Sequence, residues 1–179
     1  EMVRDSKKAY AKACRKQYDE QDEVYGRTIV QRHGNMMLVQ NPPQRSVTQE
    51  EFDYAYELPY MRAYHPMYEK DGGVPAIKEV EFSITHNRGC FGFCNFCSIA
   101  LHQGRKVQTR SEDSVYNEAV MLSEKPNFKG YIHDVGGPTA NFRHPSCEKQ
   151  EEHGLCKGRK CLAPTPCKNI NADHSDYIK

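Results

Sequence analysis

Three cysteines within eight positions constrain this chain more than any other feature. They stand in the run Arg88-Gly89-Cys90-Phe91-Gly92-Phe93-Cys94-Asn95-Phe96-Cys97, a C-x3-C-x2-C spacing, directly after an apolar alternation, Val80, Phe82 and Ile84, that predicts a strand over Val80 to Ile84. A strand that runs into a thiol-rich loop can hold a soft metal with three protein ligands and one open coordination position. Such an open site binds and activates a further ligand, whereas a closed four-ligand site holds a fold together. Gly89 and Gly92 let the loop turn tightly, and Phe91, Phe93 and Phe96 would screen a bound centre from water.

The remaining pattern places that loop in an α/β fold. Met2 to Gln21 reads as an amphipathic helix, with Cys14 on its apolar side as a small core residue. Thr28 to Val30 and Met36 to Val39 flank Gly34-Asn35 and predict a β-hairpin, and Thr48 with Glu51 predicts a capped helix over Gln49 to Glu57, stopped before Pro59. Tyr60 to Pro75 reads as an irregular connector. From Glu79 onward strand and helix alternate. Ser111 caps a helix reaching Ser123 with Val115, Ala119 and Leu122 on one face, and Tyr131 to Val135 forms a second strand, parallel to the first. The expected division is a segment over 1–78 (helix, hairpin, short helix and connector) and a βαβ unit with a cysteine-rich tail over 79–179.

Charge and hydropathy exclude some functions. Lys and Arg total 25 against 24 Asp and Glu, and no basic stripe accompanies the tyrosines of 54–68, so no nucleic-acid surface is expected. No apolar run approaches the roughly 18 residues of a membrane span. Eight cysteines permit disulfides, but Cys90, Cys94 and Cys97 lie too close in sequence to pair well with one another. Metal-bound thiolates in a reducing cytoplasm account better for them. Zinc is the competing metal, although only Cys94 and Cys97 have the C-x2-C spacing common in structural zinc sites.

The cysteine loop resembles the signature of the radical S-adenosylmethionine (SAM) enzymes, with Phe96 in the aromatic slot before the last cysteine. The resemblance implies a [4Fe–4S] cluster on Cys90, Cys94 and Cys97, with S-adenosylmethionine on the open iron. It also implies a cellular electron donor and reductive cleavage to a 5′-deoxyadenosyl radical. A Gly-Gly-Glu-like segment follows the second strand in that superfamily and contacts the methionyl amine. Here Gly136-Gly137-Pro138-Thr139 takes its place, so Gly136 and Gly137 carry over through their backbone and the acidic residue does not. Arg105 and Arg110, after the loop, are candidates for the carboxylate of S-adenosylmethionine, the alternative being solvated side chains. His86 and His102 flank the motif and read as structural, and His133 and Asp134 lie at a strand end.

Thr85-His86-Asn87-Arg88-Gly89-Cys90, His102-Gln103-Gly104-Arg105, Val39-Gln40-Asn41-Pro42-Pro43 and Asp134 to Asn141 narrow the resemblance to YgiQ-type proteins, a family without an established reaction. The implied fold is the start of a radical SAM partial (βα) barrel behind an N-terminal α/β-hairpin segment. The chain resembles an internal piece of a longer protein. About 100 residues follow Glu79 where a six-stranded barrel needs about 200, so the piece alone is expected to be a poor catalyst. The substrate and the catalytic residues acting on it stay unassigned. The runner-up is a non-catalytic zinc or iron–sulfur module. Cys147, Cys156, Cys161 and Cys167, spaced C-x8-C-x4-C-x5-C, form a candidate second site for an iron–sulfur cluster or zinc.

Overall fold

In a computed structural model, residues 2–137, 140–142, 144–145, 147–171 and 175 are described. The elements in chain order are helices α1 (Met2–Asp5) and α2 (Lys7–Asp19), strands β1 (Ile29–His33) and β2 (Met36–Gln40), and helix α3 (Gln49–Glu57). After a 3-10 turn at Pro66–Asp71 come α4 (Ile77–Val80), β3 (Ser83–Thr85), β4 (Asn87–Arg88), α5 (Ile99–His102), β5 (Gln108–Thr109), α6 (Glu112–Ser123), β6 (Asp134–Gly136) and α7 (Glu148–His153). The result is mixed α/β with three two-stranded sheets, and no closed barrel forms among the described residues.

Two compact units, each discontinuous in sequence, divide the chain: Glu1–Ser46 with Gly89–Val107 and His144–Asp173, and Val47–Arg88 with Gln108–Arg143 and His174–Lys179. The second unit contains the βαβ element. β3 and β6 pair in parallel, Ser83 opposite Asp134, Ile84 opposite Val135 and Thr85 opposite Gly136. Backbone bonds continue the ladder at both ends, His133 N to Phe82 O at 2.8 Å and His86 N to Gly136 O at 2.9 Å. Phe82, Ile84 and Leu122 form its core, with Val115, Ala119, Phe128, Ile132 and Val135 packed around them. The predicted apolar face of α6 is therefore the buried one. Ser111 caps that helix by accepting from Ser114 N at 3.1 Å. α3 carries the complete capping box, Thr48 Oγ1 accepting from Glu51 N and Glu51 accepting from Thr48 N. It ends at Leu58, whose extended backbone is what a following proline demands.

Both predicted strands of this unit begin later than their sequence pattern. Ile77–Val80 closes a helical turn and leaves Val80 60% exposed, so only Phe82 and Ile84 of the alternation point inward. Tyr131 stacks on His133 in solvent with ring centroids 4.9 Å apart, and the second ladder starts only at His133. Three alternating apolar residues are too short a pattern to fix a strand boundary.

In the first unit the single helix expected over Met2 to Gln21 is broken at Ser6. Its extended backbone and side chain cap α2 through Ala9 N at 3.2 Å. Cys14, expected in a core, is exposed. β1 and β2 form the predicted antiparallel hairpin, with Gly34 at φ +64° supplying the left-handed residue of a two-residue turn. Asp22, 4% exposed, fastens the unit. Its Oδ1 accepts from Val24 N and Tyr25 N and its Oδ2 from Leu155 N at 2.7 Å. Tyr25 donates in turn to Leu155 O at 3.0 Å.

Candidate functional site: a thiol loop and a glycine pair

The cysteine loop leaves and re-enters the chain through a short antiparallel ladder, β4 with β5, Asn87 opposite Thr109 and Arg88 opposite Gln108. Just past that neck, Cys90 N donates to Gly104 O at 3.1 Å, and Gly89 N donates to Gln103 Oε1 at 3.3 Å. Gly89 is at φ +85°, and a Cβ there would lie 2.0 Å from Lys106 O. Backbone passes backbone so closely at this point that only glycine fits.

All eight cysteines are free thiols. Gly92 brings two of them to one place, since a Cβ at this position would stand 3.3 Å from Cys90 Sγ and 3.7 Å from Cys94 Sγ. The space beside both sulfurs exists because residue 92 has no side chain. Cys97 follows through a turn, its N–H donating to Cys94 O at 3.1 Å. Cys90 and Cys97 are half-buried and Cys94 is exposed. Phe91 is buried, and Phe93, held at φ +47°, meets Tyr18 edge-on with centroids 4.6 Å apart. Phe96 is 93% exposed. Of the three phenylalanines, Phe91 is thus buried, Phe93 half-buried, and Phe96 faces water. Among the described residues no three Cys, His, Asp or Glu converge as they stand on a single metal-holding point.

Positive charge lies next to the loop. The Arg105 guanidinium stands 5.1 Å and the Lys160 ammonium 5.5 Å from the Phe93 ring centre. Arg105 is buried and donates to Arg159 O at 3.2 Å and to Cys161 Sγ at 3.8 Å. Cys161 is buried too. Burial pushes its thiol up, as do the nearby Cys156 and Cys167, against the opposing pull of Arg105. Cys147 is half-buried at the start of α7, and Cys156 and Cys167 are half-buried in the loops that follow.

Gly136 and Gly137 belong to the other unit. Their lack of side chains is enforced by two asparagines. A Cβ at Gly136 would lie 2.3 Å from Asn141 Oδ1, and one at Gly137 would lie 2.5 Å from Asn87 Nδ2. Gly137 N donates to Asn141 Oδ1 at 3.1 Å, and Asn87 Nδ2 donates to Ala140 O at 3.2 Å. Asn87 is fully buried, and its Oδ1 finds no partner among the described residues. Pro138 and Thr139 lie outside the described residues.

Arg110 is also fully buried. Its Nη1 pairs with Glu118 and donates to Thr85 O at 3.0 Å, its Nη2 donates to Ser114 O at 2.9 Å, and its guanidinium stands 4.5 Å from the Tyr56 ring centre. Arg62 Nη1 reaches the other oxygen of Glu118 at 2.5 Å. His86 is buried, while His102, His133 and Asp134 are exposed. Asp22, Glu118 and Arg62 escaped sequence reasoning, whereas Asn87 and Asn141 lay in the stretches that carried the family resemblance, without a role of their own.

Comparison with known proteins gives these motifs a context. Residues 1–83 match the family described as radical SAM N-terminal. Over 178 residues, 99% of its length, the chain is 57% identical to a UPF0313 protein of Clostridium botulinum (strain 657 / Type Ba4), of which it covers 28%. A UPF0313 protein of Clostridium perfringens (strain ATCC 13124) is 53% identical over 176 residues, 98% of this chain and 27% of the relative. The chain spans little more than a quarter of the curated relatives it matches. No solved structure matches. No helix among the described residues is long and apolar enough to cross a membrane.

Proposed function

This chain belongs to the YgiQ-type family of radical SAM proteins, the family of its UPF0313 relatives, and we propose that it carries the cluster-binding part of a radical SAM enzyme. Cys90, Cys94 and Cys97 would hold a [4Fe–4S] cluster. One observation carries the reading: the sulfurs of Cys90 and Cys94 flank the Gly92 backbone on a free-thiol loop, in space that any side chain at 92 would fill. The donor set is right for iron and sulfide, soft thiolates without a competing carboxylate. When bound, the cluster and S-adenosylmethionine together supply one-electron reductive cleavage to a 5′-deoxyadenosyl radical.

This chain's own residues bind, orient and exclude water. Gly89 fixes where the loop departs. Buried Phe91 and the Phe93–Tyr18 pair keep solvent from one side of it, and Arg105 and Lys160 favour an anionic thiolate-held centre electrostatically. Gly136 and Gly137 contribute backbone to seating S-adenosylmethionine, with the Gly137 N–H already held in place by Asn141. In the longer protein this chain begins the partial (βα) barrel, and the substrate is met by residues beyond it.

Anaerobic reconstitution with iron and sulfide tests the proposal. A brown protein whose reduced EPR signal changes on adding S-adenosylmethionine, and which loses that change in C94S, is expected. Stoichiometric zinc with no uptake of iron would overturn it.

A further inference from the structure

Both glycines at the end of β6 face oxygen. A Cβ built at Gly136 would stand 2.3 Å from Asn141 Oδ1 and 3.2 Å from Asp134 Oδ1. Two side-chain oxygens therefore converge on the space that this glycine leaves open. Strand geometry accounts for the first of them, since residues 134 and 136 of β6 point to one face of the sheet. A local bond accounts for the second. Asn141 Oδ1 is turned towards the glycines because it accepts from Gly137 N at 3.1 Å. An amide oxygen has two lone pairs, so that bond leaves one free.

These oxygens are short of donors. Asp134 is exposed, and no described residue pairs with its carboxylate. A Cβ at Gly137 would meet the same chemistry, with Asn87 Oδ1 and Ala140 O both at 2.6 Å. The one donor beside them, Asn87 Nδ2, is already given to Ala140 O at 3.2 Å. That bond fixes the amide's orientation, because a carbonyl only accepts and so must face the NH2 group. Asn87 Oδ1 is left shut from water without a partner among the described residues. A buried acceptor without a donor is rare in a folded protein and calls for one supplied from outside the chain. Free acceptors beside an unpaired negative charge select a group that offers N–H and accepts nothing, which is the chemistry of a primary amine.

The acidic residue of a Gly-Gly-Glu segment is missing here, where Pro138 follows the pair. We infer that Asp134 and Asn141 receive the amino group of S-adenosylmethionine beside Gly136, the Asp134 carboxylate taking the part of that missing acid. The charge comes from two positions before the glycines, along the strand, and not from the position after them. Asp134 is then a binding residue and not a solvated strand end. The inference rests on the reading of Gly136 and Gly137 as the seat of S-adenosylmethionine.

The test compares two ligands in three proteins. The longer protein that carries this chain is reconstituted with iron and sulfide. It is then titrated with S-adenosylmethionine and with its N,N-dimethyl analogue, and the change in the reduced EPR signal gives a Kd for each. The analogue keeps the nitrogen and the rest of the ligand but lacks the N–H donors. Asp134→Asn removes the charge at nearly constant shape, and Asn141→Asp adds one at the same place. In D134N the affinity for S-adenosylmethionine should fall about tenfold, while that for the analogue changes less than about twofold. In N141D the preference for S-adenosylmethionine should widen. A merely structural role for Asp134 would weaken both ligands alike, so equal losses, or a preference unchanged in both variants, overturns the inference. If D134N takes up no cluster, N141D decides alone. An unmutated protein that forms a cluster but ignores S-adenosylmethionine refutes the radical SAM reading and this inference together, so the unmutated titration tells the two failures apart.

Discussion

Gly89→Ala offers the sharpest test of the loop's geometry, because Gly104→Ala in the same loop supplies an internal control. Both glycines have positive φ, +85° and +91°. An L-residue in that region costs about 1–2 kcal/mol. At Gly104 nothing lies within 4 Å of an added Cβ, so that strain is the whole effect. At Gly89 the Cβ would also sit 2.0 Å from Lys106 O and 2.9 Å from Lys106 C. Both are backbone atoms that cannot swing aside, and relieving them moves the neck of the loop. Overpacking of this kind adds about 1–3 kcal/mol. G104A should therefore lose about 1–2 kcal/mol and G89A about 2–5 kcal/mol by the same principles. Urea denaturation of the metal-free chain under reducing conditions, followed by circular dichroism, measures both, with the slope m unchanged if the native state stays compact. Equal losses in the two variants would show that the approach to Lys106 is not the constraint. An unaffected G89A would refute the described neck altogether.

Two further outcomes follow from buried charge. Glu118→Ala strips both Arg110 and Arg62 of their carboxylate, leaves Arg110 charged and fully buried, and should cost about 3–5 kcal/mol in the same denaturation assay. A loss near zero would mean Arg110 finds water or another anion. Glu23 lies below the usual carboxylate range: burial pushes its carboxyl up, but hydrogen bonds from the Ser46 side chain and N–H and from the Lys106 ammonium together outweigh that and pull it down. A folded value below the unfolded one contributes stability above the unfolded value of about 4.3 and loses it as pH falls through the folded value. Glu23→Gln should flatten that acid limb, and an unchanged pH profile would dismiss the contribution.

The parts of the fold that were legible in the sequence are those fixed locally. The capping box before α3, the Gly34-Asn35 turn of the hairpin and the Ser111 cap of α6 lie within a few residues of what they determine, and each element stands where its signal put it. The parallel pairing of the two strands was legible as well, although not where they begin. Ser6 shows the limit of a periodicity argument, since one side chain that can bond back to the chain splits a pattern that looks continuous. Buried charge was not legible. Arg62, Arg110 and Glu118 meet across 56 and 8 positions in sequence, and each alone looks like a solvated surface residue. The partners of Arg105 were no more legible, since Arg159 O and Cys161 Sγ lie 54 and 56 positions away in sequence.

The two-residue ladder at the base of the Gly89–Val107 loop also has a thermodynamic consequence. Bringing the ends of a flexible loop together costs entropy that grows only with the logarithm of its length. On the proposed cluster-binding role, folding would meet that cost in advance, and an incoming cluster would need to order only the few residues between Cys90 and Cys97. Affinity at the sulfurs is then linked to the integrity of hydrogen bonds far from them. A substitution at Asn87 or Thr109, remote from any thiol, would register as weaker metal binding, and bound metal would reciprocally raise the melting temperature of the neck.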